Sequence, residues 1–403
     1  MALGLAMAPD ARAATLNVPC NAAALTSAIA TVNANGEEDF VWLAPACTYT
    51  LPATWTVAYD GGNPLRIYGS GATLSGGDAR LPLSVDGGAI AFVENLTIRD
   101  GANNYEGGGI RNIGVLTLTG VTVTDNAATG WGGGIYSGGG SLRILSSTVS
   151  GNRAVWGGGA IDNDGTARLT LVASAVTSNV APYGGGIRNE HMLLAVNTTF
   201  HDNFSDLGGA LLNEQSGHAA LSALTVSGNR ITLTGGSSIH NDGELALNGS
   251  VLANTNAGNA DCANYGVLAA TGPNLVEDGS CALAGAITGD PKLGSPAGKP
   301  AALALLSGSP ALDAGASDRC PGTDQRGGLR PRDGNKDGTA VCDLGAVETQ
   351  PGACGLLGIE PFLLLPFVRR AARRLRPSAG AGRRAGGEPC FDPRERGLLG
   401  LPR

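Results

Sequence analysis

A run of glycines returns along this chain at nearly constant spacing. It opens as Gly107-Gly108-Gly109-Ile110 and recurs from Gly132, Gly157 and Gly184, with shorter forms at Gly208-Gly209 and Gly235-Gly236. The first glycines lie 25, 25, 27, 24 and 27 residues apart. Asparagines keep the same beat at Asn126, Asn152, Asn179, Asn203, Asn229 and Asn254. A period of this size belongs to stacked repeats, in which each unit buries its apolar side against the next. The informative unit is therefore a stripe of side chains on successive coils, rather than one catalytic motif.

Between about Leu65 and Leu252 the residues alternate with strand period, most clearly in Val115-Leu116-Thr117-Leu118-Thr119 and Val121-Thr122-Val123-Thr124. One apolar residue recurs per coil: Ile98, Val123, Val149, Val176, Phe200, Val226 and Val251. Stacked at the ~4.8 Å strand spacing, these form an internal ladder. The Asn three residues after each member from Val123 to Val251 predicts an asparagine ladder at a bend. The glycines supply corners that a β-carbon would obstruct. Three short strands per coil describe an all-β, right-handed parallel β-helix. The leucine-rich consensus and the calcium-binding nonapeptide are both absent. Residues 22–34 read as an amphipathic helix through Leu25, Ile29 and Val32, with a strand at Phe40–Leu43. The expected order is an N-terminal cap over 14–64, the β-helix over 65–290 and a C-terminal cap over 291–350.

Composition bears on compartment. Residues 351–403 carry ten Arg against four acids, a net of +6, which leaves −13 on residues 1–350. An acidic body argues against nucleic acid, since phosphate contacts need Lys and Arg. Six cysteines fall into local pairs, Cys20/Cys47, Cys262/Cys281 and Cys320/Cys342, with no CxxC or zinc spacing. They predict disulfides in an oxidising compartment. Residues 1–13 read as the remnant of an export signal ending near Ala11-Arg12-Ala13. The expected location is secreted or cell-surface, associated with an outer membrane.

Several segments resemble known families. Thr199-Phe200-His201-Asp202-Asn203 with Gly208-Gly209-Ala210-Leu211 resembles the repeats of polymorphic outer membrane proteins. Residues 309–348 are similar to the end of bacterial "choice-of-anchor" surface proteins, through Ser309-Pro310-Ala311-Leu312-Asp313-Ala314-Gly315, Asp324-Gln325-Arg326-Gly327 and Cys342-Asp343-Leu344-Gly345-Ala346-Val347-Glu348. These resemblances imply the fold and a surface location, and leave activity open, because one fold hosts many functions. Residues 351–376 are similar to a sorting or anchor segment, apolar over Leu356–Val368 and then Arg-rich; an inert tail is the competing reading. Residues 377–403 read as disordered.

Aligning the coils on their glycines exposes three stripes. Trp131, Trp156 and Tyr183 precede the glycines, with Tyr105 one place further back. Stacked aromatics suit a glycan or protein contact, and they equally suit a cover over glycine corners. Asp164, Glu190, Glu214 and Asp242 form an acidic stripe, each directly after an Asn. Like charges one coil apart raise pKa values or recruit a cation; solvated turns are the plainer reading. The third stripe is Arg111, Tyr136, Asp162, Arg188, Leu212 and His240, in which Asp162 and Arg188 can pair between coils. Asp333-Gly334-Asn335-Lys336-Asp337-Gly338 matches the opening of a calcium loop that Asp343 could close, or a polar turn. The expected function is non-enzymatic display: an adhesin-like face built on Trp131, Trp156 and Tyr183 that meets a glycan or a host or neighbouring cell. The alternative is an extracellular polysaccharide lyase or glycoside hydrolase using Asp162, Asp164, Arg188, Glu190 and Glu214. Near-constant coil lengths leave little room for the loops that flank an active-site groove, which favours display.

Overall fold

The computed structural model describes residues 13–33, 36–233 and 236–350. The export remnant up to residue 12, Gly235 of the last glycine pair, and the anchor and tail segments from 351 onward lie outside the described residues. The chain forms a parallel β-solenoid of about ten coils, about 26 residues each. A central coil contributes a five-residue strand, a three-residue strand, in places a two-residue strand such as Arg153–Ala154, and a three-residue strand that follows the glycine corner. In that coil the others are Ser141–Leu145, Thr148–Ser150 and Ile161–Asn163. Every strand pairs in parallel with its counterpart one coil away. Ile135 thus sits between Ile110 and Ile161, and Leu142 between Leu116 and Leu169.

Period-2 alternation explains the interior. Leu116, Leu118, Leu142, Ile144, Leu169 and Leu171 point inward and are buried, while their strand neighbours face solvent. The post-glycine strands add the column Ile110, Ile135, Ile161, Ile187, Leu211 and Ile239, also buried. The corners ahead of the first five members are left-handed glycines, Gly107, Gly132, Gly158, Gly184 and Gly208. A β-carbon at Gly132 would lie 2.4 Å from the Ile135 carbonyl oxygen, so no other residue fits. This column corrects the sequence alignment at one coil. Gly158, not Gly157, is the corner there.

Two asparagine ladders hold the coils in register. Asn126, Asn152, Asn179, Asn203 and Asn229 are buried, and each Nδ2 donates to the next Oδ1 at 2.9–3.0 Å. The same oxygens accept the backbone N–H of the preceding coil's Asn. Asn254 does not join. Leu252, rather than Val251, pairs with Val226, so Asn254 falls one place early, is exposed, and bonds Ser227. The second ladder runs through Asn163, Asn189, Asn213, Asn241 and Asn264 at 2.6–2.7 Å. Asn163, Asn189, Asn213 and Asn241 read from the sequence only as turn positions.

The ends differ from the expected domain scheme. Stacking begins at Thr15–Val18, which pairs with Asp39–Leu43 and through it with Pro64–Ser75, so residue 65 is not a structural boundary. Helix α1, Ala22–Val32, is capped by Asn21 Oδ1 accepting the Ala24 N–H at 2.7 Å. It buries Leu25, Ala28 and Val32 over the first coils. Cys20–Cys47, Cys262–Cys281 and Cys320–Cys342 are bonded as expected. The 291–350 segment does not simply close the end. It lies along the flank of earlier coils: Asn197 Nδ2 donates to the Thr323 carbonyl at 2.6 Å, Thr199 Oγ1 meets Gln325, and the Ala346 N–H donates to Thr225 Oγ1 at 2.9 Å.

The ladder makes a quantitative expectation. Asn152→Ala strands the Asn126 N–H in the interior and removes a donor from Asn179 Oδ1 and from the Val123 carbonyl. A loss of about 3 kcal/mol follows, read as a lowered denaturant midpoint. Asn254→Ala should change stability by no more than about 0.5 kcal/mol. Equal losses at the two positions would contradict the ladder.

Candidate functional site

The post-glycine strands present one outward residue per coil in the order Arg111, Tyr136, Asp162, Arg188, Leu212 and His240, as the alignment predicts. Arg188, on the strand Ile187–Asn189, is the hub. Its Nη1 donates to Asp162 Oδ1 at 3.1 Å and its Nε to Glu214 Oε1 at 2.9 Å, while Nη2 pairs with Glu190 Oε1. The three carboxylates come from three successive coils. Its Cζ lies 4.3 Å from the centroid of the Trp131 ring. The guanidinium is thus held in plane by acids and on its face by an aromatic ring.

Trp131 reaches Arg188 because of Gly157. The strand register places Trp131 opposite Gly157, and Gly157 opposite Tyr183. A β-carbon on Gly157 would stand 2.7 Å from Trp131 Cζ3 and 2.9 Å from Arg188 Cδ. The missing side chain is the notch into which the indole folds. Trp156 is therefore not in the Trp131–Tyr183 column, contrary to the alignment. It stands one residue to the side and meets Trp131 edge-on, with centroids 5.4 Å apart. Tyr105 meets Trp156 in the same way at 5.4 Å. Tyr105, Trp156 and Tyr183 are 51%, 42% and 48% exposed, whereas Trp131 is half-covered.

The acidic stripe is in register, and its members differ in environment. Asp164, Glu190, Glu214 and Asp242 each donate their N–H to a carbonyl of the preceding coil and keep half-exposed side chains. Asp164 accepts the Tyr136 hydroxyl at 3.1 Å. Burial, with the Asp164 charge beside it, pushes the Tyr136 phenol upward and keeps it protonated. Asp242 lies 3.4 Å from His240, which stacks at 5.0 Å on Tyr265. Asp162 is the exception. It is wholly buried, its Oδ2 has no partner, and burial lifts its pKa to about 7 against the opposing pull of Arg188. Arg188 divides its charge among three acids, so one of them gains by staying protonated.

The 333–338 loop is built on its own backbone. Asp333 accepts the N–H groups of Asp337 and Gly338, Asn335 Oδ1 accepts that of Asp337, and Asp337 Oδ1 that of Thr339. Asp343 accepts the N–H groups of Asp313 and Thr349, and Asp313 in turn accepts those of Gly334 and Asn335. Among the described residues no group of three or more His, Cys, Asp or Glu side chains is arranged to hold a metal ion. Asp333, Asn335 and Asp337, which the sequence offers as calcium ligands, here cap backbone N–H groups of their own loop. Sequence reading also missed an aromatic pair on the outer face of the first coils. Trp42 and Tyr68 stack at 4.1 Å, and Arg66 lies over Phe92. Their 26-residue separation was the available signal.

Residues 120–138 match the Chlamydia polymorphic membrane protein repeat. No curated protein matches the chain. Among solved structures, the crystal structure of pectate lyase Pel9A aligns over 84% of this chain and 97% of that one, with a TM-score of 0.49 and 15% identity. That is a likeness in outline only.

The state of Asp162 has a pH signature. A carboxyl raised in the folded protein binds more protons folded than unfolded. Its stabilisation is full below the ordinary carboxylate range and is lost as pH rises through about 7. Asp162→Asn keeps the neutral form at every pH. Its melting temperature should gain on wild type from pH 5 to about pH 7 and then level off. Glu348, also raised to about 7, slopes equally in both proteins and cancels. A pH-independent difference would show that Asp162 is ionised throughout.

Proposed function

We propose that this protein is a secreted or cell-surface β-solenoid that binds glycan through the Trp156–Tyr183 face and performs no chemistry on it. The observation that carries this reading is the commitment of Arg188. All three of its nitrogens meet carboxylates and its face meets Trp131. A β-elimination needs a basic group free to take a proton. The Arg188 guanidinium has all three nitrogens engaged by Asp162, Glu190 and Glu214, which leaves none of them turned toward a ligand. A glycosidase needs an acid in reach of the glycosidic oxygen, whereas Asp162, the carboxyl of this cluster with the raised pKa, is wholly buried. The polar network instead works as a rigid base that fixes Trp131 and, through it, Trp156. Exposed aromatic faces beside half-exposed Glu190, Glu214 and Asp164 offer stacking surface and hydroxyl acceptors, the pairing that sugars use. The net charge of −13 on residues 1–350 favours neutral or amino-bearing sugars over uronates.

Surface placement is supported by the three disulfides, by the repeat match over 120–138 and by the resemblance of 309–348 to choice-of-anchor proteins. The lyase or hydrolase reading is kept as the alternative outcome of one experiment. The protein is incubated with acidic and neutral polysaccharides, and both retention and new chain ends are measured. Retention without new ends, reduced about tenfold by Trp156→Ala or Tyr183→Ala, is the expected result. Turnover abolished by Glu190→Gln or Glu214→Gln would overturn it.

A further inference from the structure

The outer side of the five-residue strands carries a feature that the glycan reading does not use. From the coil of Arg168 to that of Val267 this face holds an apolar depression of about 500 Å³. Its floor is Ala220, Ala246 and Ala269, one per coil. Leu194 stands at one end of that column, 44% exposed. The neighbouring column runs Arg168, Met192, His218 and Glu244. These positions point away from the solenoid interior, so core packing does not dictate small or apolar residues there. A contiguous apolar strip facing water marks a contact surface.

We infer that this face pairs with a second copy of the chain. The two solenoids run antiparallel about a two-fold axis that lies along the strands, midway between the coils of Met192 and His218. Charge and shape together select this occupant. Arg168 and Glu244 occupy one column, each a single coil outside the Met192–His218 pair. The rotation sets Arg168 of one copy against Glu244 of the partner subunit, twice. In the next column it sets Leu194 against Ala220 of the partner subunit and Thr170 against Ala246 of the partner subunit. The large side chain meets the small one on both sides of the axis, as an isologous interface requires. Moving the axis by half a coil places Arg168 opposite Val267 of the partner subunit and loses both matches, so one register is specified. The Glu244 carboxylate already meets His218 Nδ1 within its own chain at 2.9 Å, which holds it extended along the column.

Sedimentation equilibrium of the full chain over a wide concentration range tests the pairing. A monomer–dimer equilibrium is expected for the wild type. Leu194→Glu should raise the dissociation constant about 30-fold or more, since it places a charge at the buried knob. Arg168→Glu and Glu244→Arg should each weaken the dimer, because each sets like charges opposite one another. The combined reversal should recover the wild-type affinity within a few-fold. All three positions face outward, and matched circular-dichroism melts confirm that the variants fold. The inference is overturned by a concentration-independent monomer, by a dimer that ignores Leu194→Glu, or by a combined reversal no tighter than its parents. A monomer that binds lipid vesicles through the patch would also overturn it.

Discussion

Inter-coil register is the constraint on which the rest of this structure depends. Parallel backbone pairing alone permits a slip of one residue, and each slip exchanges inward and outward side chains. The buried asparagines remove that freedom. Each amide closes a bond to the next coil and accepts a backbone N–H from the previous one, so a slipped coil would strand several polar groups in the interior. The left-handed glycines complete the device by fixing where each coil turns. Once register is set, the outer surface is set as well. Side chains 23 to 28 residues apart become neighbours at the strand spacing, and a functional patch can be assembled from many coils.

The Arg188 hub is a product of that register. Asp162, Glu190 and Glu214 come from three coils, and none carries a motif that marks it in the chain. Stacking alone brings them to one guanidinium. An isolated surface ion pair contributes little. A cluster with one buried member and an aromatic face is different, because its geometry is over-determined. The cost is local: a carboxyl held near neutrality in the interior, with one oxygen lacking a partner. The return is an indole whose position does not depend on ligand, which lowers the ordering cost of binding at the aromatic face.

Much of the architecture was legible in the sequence. The glycine and asparagine periods, the strand alternation around Leu116 and Leu118, helix α1 and the three local cysteine pairs all report interactions within one coil or between neighbours. Errors arose where coil length changed. The register between these coils is 26 residues, from Ala127–Arg153 through Trp131–Gly157 to Ile135–Ile161, so Trp156 falls beside Gly130, and an alignment on the first glycine, 25 residues apart, assigns the wrong glycine to the corner. The same slip of one residue misplaced Val251 and Asn254. The trench over Ala220 and Ala246 left no signal, since small outward residues mean nothing until their neighbours are known. The path of 291–350 along the flank was illegible because its partners lie more than 120 residues away.

The notch at Gly157 tests the account most directly, because it exists only in the register described here. Gly157 has no left-handed backbone, so Gly157→Ala introduces a methyl group without a conformational penalty of its own. The measurement is fluorine NMR of fluorotryptophan-labelled protein, in which the four tryptophans give separate signals. The account predicts that Gly157→Ala displaces the resonances of Trp131 and of Trp156 in contact with it, and leaves the distant Trp42 and Trp55 unchanged. Unmoved Trp131 and Trp156 signals would contradict it, and with it the joining of the aromatic face to the Arg188 cluster.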